Sequence, residues 1–293
     1  MNHISTNEKA SLPLTTSYEN ITGRIPYNMT NDYMFRAVLQ KNHKVLTGLV
    51  CSLLHLEPSE IKSIKIMNPI KLGATLGDKE FLLDILVLLN NHTHLNLEMQ
   101  VANEGNWIER SLSYLCRSFD ELVKGQDYKE APPVIHIGFL DYTLFQNSPE
   151  FYASYQMMNI KNHDIFSDKF QLRVVELNQI HLATEEDKQY GLDYWAYLFK
   201  AKTWEELKTM ATKNEYLEET AKTLYTLSSD KLIQEACRRR DDYNKQTNYF
   251  VNKIDEQATT IAKQASTITK QASTITEQAS RIAELEALLA AKK

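Results

Sequence analysis

The sequence predicts an α/β fold: a layered domain with a mixed central sheet flanked by helices, then a helical subdomain and a carboxy-terminal coiled coil. Up to about residue 140, short apolar segments with strand periodicity alternate with amphipathic helical segments, an order typical of layered α/β domains. From Gly191 onward the periodicity is helical, and the end of the chain repeats every seven residues. We divide the chain into a polar leader (1–24), an α/β domain (25–190), a helical subdomain (191–250) and a coiled coil (251–293).

The composition is that of a globular protein, with 43% hydrophobic and 24% charged residues. The longest apolar stretch, within residues 81–89, is far shorter than the roughly 20 residues that a membrane helix needs. The polar leader contains no hydrophobic signal region. Cys51, Cys116 and Cys237 are odd in number and far apart, which favours reduced thiols over disulfides or a zinc site. We therefore expect a cytoplasmic protein without a membrane partner.

The first predicted elements are two helices and a short strand. Thr30 and Asn31 can cap a helix that begins near Asp32. Apolar residues at helical spacing mark this helix and the next one, and alternating ones mark the strand: Phe35, Val38 and Leu39, then Val45, Leu49, Leu53 and Leu54, then Ile61, Ile64 and Ile66.

Two strands with embedded polar residues follow. Residues 81–89 are apolar on both faces, which predicts a buried strand interrupted by a single carboxylate, Asp84. Residues 95–101 alternate apolar and polar side chains, so that Glu98 and Gln100 share one face. Asp84 could instead pair with an arginine, and the polar face of the second strand could be solvated.

The turn between these strands decides which residues face each other. A three-residue turn over residues 90–92 would pair Leu89 with Thr93 and thereby set Asp84 opposite Glu98. Directly opposed side chains have Cβ atoms about 5 Å apart. Two carboxylates at that distance repel unless a cation lies between them, so this register favours a divalent metal ion.

The remaining elements are a helix, a strand and further helices. Residues 107–124 predict an amphipathic helix, and two prolines introduce a strand over Val134–Leu140. Two apolar clusters predict helices in the subdomain: Trp195, Leu198 and Phe199, then Trp204, Leu207 and Met210. The run Arg238–Arg240 predicts a solvated helix face.

The tail carries a sustained heptad repeat. An alanine precedes most of the isoleucines by three residues, which places alanine at position a and isoleucine at position d of a coiled coil. The repeating large residues are Ile254, Ile261, Ile268, Ile275, Ile282 and Leu289. We expect a homo-oligomer through this segment. A marginal helix that orders only on binding is the alternative.

Seven short motifs, in order, are similar to one known family. They are NDYMFR (31–36), GDKE (77–80), LDI (83–85), LEMQ (97–100), RSLSY (110–114), KGQDY (124–128) and PVIHI (133–137). The set resembles the PD-(D/E)XK nucleases, and more closely their branch of nuclease-family transposases or recombination-promoting (Rpn-like) nucleases. The resemblance covers about residues 26–180.

This resemblance implies a PD-(D/E)XK restriction-endonuclease-like core and a metal-dependent DNA endonuclease linked to recombination or mobile elements. Asp84 and Glu98 would hold Mg²⁺, or another divalent cation such as Mn²⁺ or Ca²⁺. Asp32 would complete the metal site, or else act only as a helix-dipole acid. Gln100 stands where the superfamily usually has lysine; it can orient a water molecule but carries no charge.

Three further residues are expected to bind the substrate phosphate. Arg110 and Tyr114 lie one helical turn apart on the same face, and Lys79 precedes the first acidic strand. Arg110 could instead form a salt bridge with Glu98 or a helix acid, and Lys79 could be merely solvated.

Charge and Gln100 favour a competing interpretation. The net charge is −5, whereas proteins that bind the DNA backbone usually present a basic surface. The alternative is a non-catalytic nuclease-fold protein that binds DNA or protein and is oligomerised by its coiled coil. RNA also remains open as a substrate.

Overall fold

The computed structural model describes residues 17–70, 85–120 and 127–291, and the chain divides into two compact units, Met1–Asn244 and Lys245–Lys293. The described helices are α1 (Asp32–Lys41), α2 (His43–Leu54), α3 (Trp107–Phe119), α4 (Glu185–Gln189), α5 (Leu192–Lys200), α6 (Trp204–Ala211), α7 (Glu215–Ser228) and α8 (Lys231–Ala290). The described strands are β1 (Ile64–Ile66), β2 (Ile85–Leu89), β3 (Thr93–Gln100), β4 (Val134–Leu140), β5 (Tyr152–Met158) and β6 (Ile165–Glu176). Over these ranges, no helix is both long and apolar enough to cross a membrane.

The six strands form one mixed sheet in the order β1-β2-β3-β4-β6-β5. The strands β3, β4 and β6 run parallel, and the outer pairs β1–β2, β2–β3 and β5–β6 are antiparallel. This confirms the predicted α/β fold with a mixed sheet flanked by helices. The pair β5–β6 is not predicted by the sequence, because its strands are rich in polar residues and much of β5 is exposed.

The hairpin between β2 and β3 has the predicted register. Leu89 pairs with Thr93 and Ile85 pairs with Leu97. The turn is possible because Asn90 and Asn91 adopt left-handed backbone angles, with φ of 52° and 55°, a conformation that asparagine tolerates better than most residues. Asp84 lies outside the described residues.

One face of the sheet is covered by α1, α2 and α5. The cap of α1 is confirmed: Oδ1 of Asn31 accepts from the backbone N–H of Met34 at 3.1 Å. Phe35 of α1 packs against Phe139 of β4 and Phe199 of α5, with ring centroids 5.3 and 5.6 Å apart. Among the described residues, aromatic and aliphatic side chains therefore dominate the core on this face.

The opposite face of the sheet carries α3. This helix ends at Phe119, earlier than the predicted residue 124, and residues 121–126 lie outside the described ranges. Trp107 at its first turn is buried against Leu140 and Val174. Polar side chains of β3 point towards this side of the sheet, so α3 and the sheet together enclose them.

The helices predicted around Trp195 and Trp204 are confirmed as α5 and α6, and α7 follows them; α4 precedes residue 191. The final helix α8 runs without a break from the subdomain through the heptad repeat, and this long helix fits the predicted coiled coil. The five isoleucines of its heptad repeat, Ile254 to Ile282, are 56–64% exposed.

Candidate active site around Glu98

Glu98 lies near the middle of the sheet, on β3, and is 4% exposed. Oε1 of Glu98 lies 2.7 Å from Nη2 of Arg110 on α3. The two residues therefore form a salt bridge, which the sequence offered as the alternative to phosphate binding by Arg110. Tyr114, one turn along α3, lies beside the guanidinium of Arg110, which is 5.6 Å from the ring centroid. The predicted residues Glu98, Arg110 and Tyr114 are thus together.

A second neighbour of Glu98 is His136 of β4, to which the sequence alone assigns no role. Its Nε2 lies 3.7 Å from Oε2 of Glu98, and its Nδ1 lies 2.9 Å from Nδ2 of Asn96. The imidazole is parallel to the ring of Tyr114, with centroids 6.0 Å apart. Burial, with a smaller contribution from the positive charge of Arg110, lowers the pKa of His136 to about 3. The ring is therefore neutral at physiological pH.

Gly138 makes room for α3 at this point. It is paired with Glu98 across the parallel strands. A Cβ atom at this position would lie 2.1 Å from Cζ2 of Trp107, far inside contact distance. The absence of a side chain lets the indole lie on the sheet, and this fixes the start of the helix that carries Arg110.

Gln100 shares the face of Glu98, as predicted, but the face is buried rather than solvated. Gln100 is 7% exposed, and its Nε2 donates to the backbone carbonyl of Ala102 at 3.0 Å. It is paired with Leu140 of β4, which is paired with Glu176 of β6. Burial raises the pKa of Glu176, and a hydrogen bond from the backbone N–H of Leu144 partly offsets this rise.

Tyr142, just beyond β4, packs against the same small cluster as Trp107. Burial raises the pKa of Tyr142, and the negative charge of Glu98 adds to the rise, so its hydroxyl stays protonated and can donate a hydrogen bond.

Several buried polar atoms on this side of the sheet have no hydrogen-bond partner among the described residues. Buried polar groups in proteins are nearly always bonded to protein, water or ligand, so such a cluster is typical of a site that binds something. The atoms are Asn96 Oδ1, Trp107 Nε1, Arg110 Nε, His136 Nε2, Tyr142 Oη and Glu176 Oε2.

Asp32 has a separate partner. It is buried, and its carboxylate forms an ion pair with Arg240 of α8. Burial raises the pKa of Asp32, and Arg240 opposes that rise. The prediction that Arg238–Arg240 is a solvated face is wrong for Arg240, whose side chain is 14% exposed, although Arg238 and Arg239 are exposed and pair with Glu235.

Two predicted site residues, Lys79 and Asp84, lie outside the described residues. Within the described ranges, no three histidine, cysteine, aspartate or glutamate side chains come together as a group that could hold a metal ion. Asp32 and Glu98 therefore belong to no such group there.

The sequence could have signalled His136 and Asn96. His136 is a polar residue within an otherwise apolar strand, which is the same signal that points to Asp84, and Asn96 lies on the polar face of β3 that also carries Glu98 and Gln100. Tyr142 and Glu176 carry no comparable local signal, because their neighbours on β3 and β4 become apparent only from the order of the strands.

A family model described as PD-(D/E)XK nuclease family transposase matches residues 29–257 of the chain. No curated protein and no solved structure gives a significant match.

Proposed function

The chain belongs to the PD-(D/E)XK nuclease family transposases, and we propose that it is a metal-dependent DNA endonuclease that acts in recombination or on mobile elements. The observation that carries the proposal is the environment of Glu98. It is a buried carboxylate on the sheet, paired with an arginine at 2.7 Å and close to a histidine at 3.7 Å. Burying such a group costs several kcal/mol, and its place in the motif ExQ is that of a metal ligand in this family.

The residues fit a hard divalent cation. Mg²⁺ prefers oxygen ligands and binds through one or two carboxylates. Glu98 supplies one, and Asp84, one residue before Ile85 of β2, would supply the other. When bound, the cation would polarise the phosphate and lower the pKa of an attacking water molecule.

The protein side chains would divide the remaining tasks. Arg110 would bind the substrate phosphate, because a guanidinium matches phosphate geometry and its side chain is 30% exposed. Tyr114 beside it and Lys79 would extend this contact. Gln100 would orient the water molecule. Asp32 is the weakest assignment, since Arg240 already neutralises it.

A homo-oligomer is the second part of the proposal. The exposed isoleucine stripe of α8 is an apolar seam that a further copy of the chain would cover. DNA is the proposed partner of the Glu98 site, and we expect the protein to act in the cytoplasm.

The competing function is a non-catalytic nuclease-fold protein that binds DNA or protein. One observation favours it: both proposed acidic ligands among the described residues are already paired with arginine, Glu98 with Arg110 and Asp32 with Arg240. The two functions differ in whether a phosphodiester bond of the bound DNA is cleaved, so an assay of nuclease activity distinguishes them.

The test is nicking of a supercoiled plasmid by the purified full chain, with Mg²⁺, Mn²⁺ or Ca²⁺ and without metal. Glu98→Gln and Asp84→Asn keep the size of each side chain but remove its charge, so both should abolish cleavage. Glu109→Gln is the matched control, because Glu109 is an exposed acid of α3 and its loss should leave cleavage unchanged.

Three outcomes separate the possibilities. Metal-dependent cleavage that is lost in Glu98→Gln and retained in Glu109→Gln would support the nuclease. Cleavage that persists in both acidic-site variants would mean a contaminant or another site. No cleavage by a folded protein with any cation, together with retained DNA binding, would favour the non-catalytic function. A parallel assay on RNA decides the substrate class.

A further inference from the structure

The two oxygens of Glu98 face two donors of different kinds. Oε1 is 2.7 Å from the charged guanidinium of Arg110, and Oε2 is 3.7 Å from Nε2 of His136. The second distance exceeds that of a hydrogen bond. Such contacts are often long in structures without substrate and shorten when the site is loaded. A small rotation of the carboxylate would close it.

Asn96 determines which nitrogen of His136 carries the proton. Its Nδ2 is 2.9 Å from Nδ1 of the imidazole, so the amide donates and Nδ1 must accept. In a neutral imidazole the proton then lies on Nε2, the nitrogen that faces Glu98. With the amide reversed, Nδ1 would be the donor and an Nε2 lone pair would face a carboxylate, which is repulsive.

The two donors also differ in mobility. His136 is 0% exposed and lies between Asn96, Trp107 and the parallel ring of Tyr114. The side chain of Arg110 is 30% exposed and can reach solvent. Arg110 can therefore leave Glu98 for another anion, whereas the imidazole is fixed.

We propose that His136 is a positioning residue, an Nε2–H donor aligned by Asn96 that orients Glu98 for cation binding. This rests on the proposed function, because it assumes that Glu98 is a cation ligand. A buried donor that its neighbours hold in place suits this task, since it can keep the carboxylate in one orientation when Arg110 leaves. In known metal sites, loss of a group that orients a ligand weakens metal binding by about 10–100-fold.

A matched pair of substitutions tests whether a donor at the position of Nε2 of His136, rather than at that of Nδ1, is what Glu98 requires. His136→Gln places an amide N–H near the position of Nε2, whereas His136→Asn is one methylene shorter and ends near Nδ1. Mn²⁺ affinity of the full chain is measured by electron paramagnetic resonance, with thermal unfolding as the check on folding. His136→Gln should retain most of the affinity, and His136→Asn should lose about 10–100-fold. Equal affinities in the two variants would overturn the proposal.

The tautomer is tested in the unsubstituted protein, without any variant. Long-range ¹⁵N–¹H correlations of the imidazole report which nitrogen is protonated. A proton on Nε2 is the expected result, and a proton on Nδ1 would overturn the proposal even if both variants failed to fold. Absence of Mn²⁺ binding by the unsubstituted protein would refute the proposed function instead, and the tautomer would then decide alone whether His136 donates towards Glu98.

Discussion

Gly138→Ala is the substitution that most directly tests how α3 is held over the candidate site. A Cβ atom added at Gly138 would lie 2.1 and 2.3 Å from Cζ2 and Cη2 of Trp107. The indole cannot retreat easily, because it is 2% exposed and packs against Leu140 and Val174. The start of α3 must therefore move away from the sheet, together with Arg110.

The expected loss of stability follows from overpacking. Inserting a methyl group into a well-packed core usually costs about 1–3 kcal/mol. A loss of about 2 kcal/mol lowers the ratio of folded to unfolded protein by roughly 30-fold. A shift of α3 would also displace Arg110, the proposed phosphate-binding residue, so metal-dependent cleavage should fall as well.

Urea unfolding followed by tryptophan fluorescence measures this loss. All three tryptophans, Trp107, Trp195 and Trp204, lie in the unit Met1–Asn244, so the signal does not report on the tail. Gly48→Ala is the matched control: its Cβ would lie 2.4 and 2.5 Å from Cγ and Cβ of Tyr216, so it overpacks the contact between α2 and α7 rather than the candidate site.

The two variants should therefore differ in kind. Gly48→Ala should lower the free energy of unfolding as well, because Cβ of Tyr216 is fixed to the backbone of α7 and cannot turn away. It should leave metal-dependent cleavage unchanged, because Gly48 lies on α2 whereas the candidate site lies between the sheet and α3. If the free energy of unfolding of Gly138→Ala lies within about 0.5 kcal/mol of that of the unsubstituted protein, the effect is that of an ordinary surface substitution. Trp107 would then not be pressed against Gly138.

Three further substitutions test other contacts. Asn31→Ala removes the cap of α1 and the hydrogen bonds that Nδ2 of Asn31 donates to Cys237 and Asp241 of α8, so it should lower the free energy of urea unfolding by at least about 1–2 kcal/mol; an unchanged value would mean that neither the cap nor these bonds contribute. Arg240→Met leaves Asp32 buried without its counter-charge and should cost about 3–5 kcal/mol in the same assay, and adding Asp32→Asn should recover most of that loss unless the pair is not coupled. Ile268→Lys should lower the mass measured by light scattering, whereas Thr267→Lys, outside the apolar stripe, should not; equal masses would rule out the stripe as the interface.

Local patterns were sufficient for the elements that local chemistry determines. The β2–β3 register followed from a turn of two asparagines between apolar strands, and the cap of α1 followed from Asn31. In contrast, β6 depends on pairing with the parallel strand β4, and β5 depends in turn on pairing with β6. Their polar, partly exposed residues carry little periodicity of their own, so only the completed sheet explains them.

The same distinction applies to the candidate site, of which local sequence patterns predict one part and only the tertiary structure shows the rest. Alternation within β3 placed Glu98 and Gln100 on one face, but it could not show that α3 buries that face. The partner of Asp32 is 208 residues away along the chain, and no periodicity within one segment can reveal such a pair. His136 was visible as a polar residue in an apolar strand, yet its role depends on the register that sets it beside Asn96.

The two buried ion pairs differ in a way that separates structure from function. A buried pair seldom stabilises a fold relative to apolar residues of the same size, because desolvation offsets the attraction. Arg240 is 14% exposed and Arg110 is 30% exposed, so Arg110 has the freer path to solvent. We therefore expect Asp32 to stay paired and anchor α1 to α8. Under the proposed function, Arg110 would exchange from Glu98 onto a phosphate while His136 keeps the carboxylate in place, and Glu98 rather than Asp32 would then be the catalytic acid.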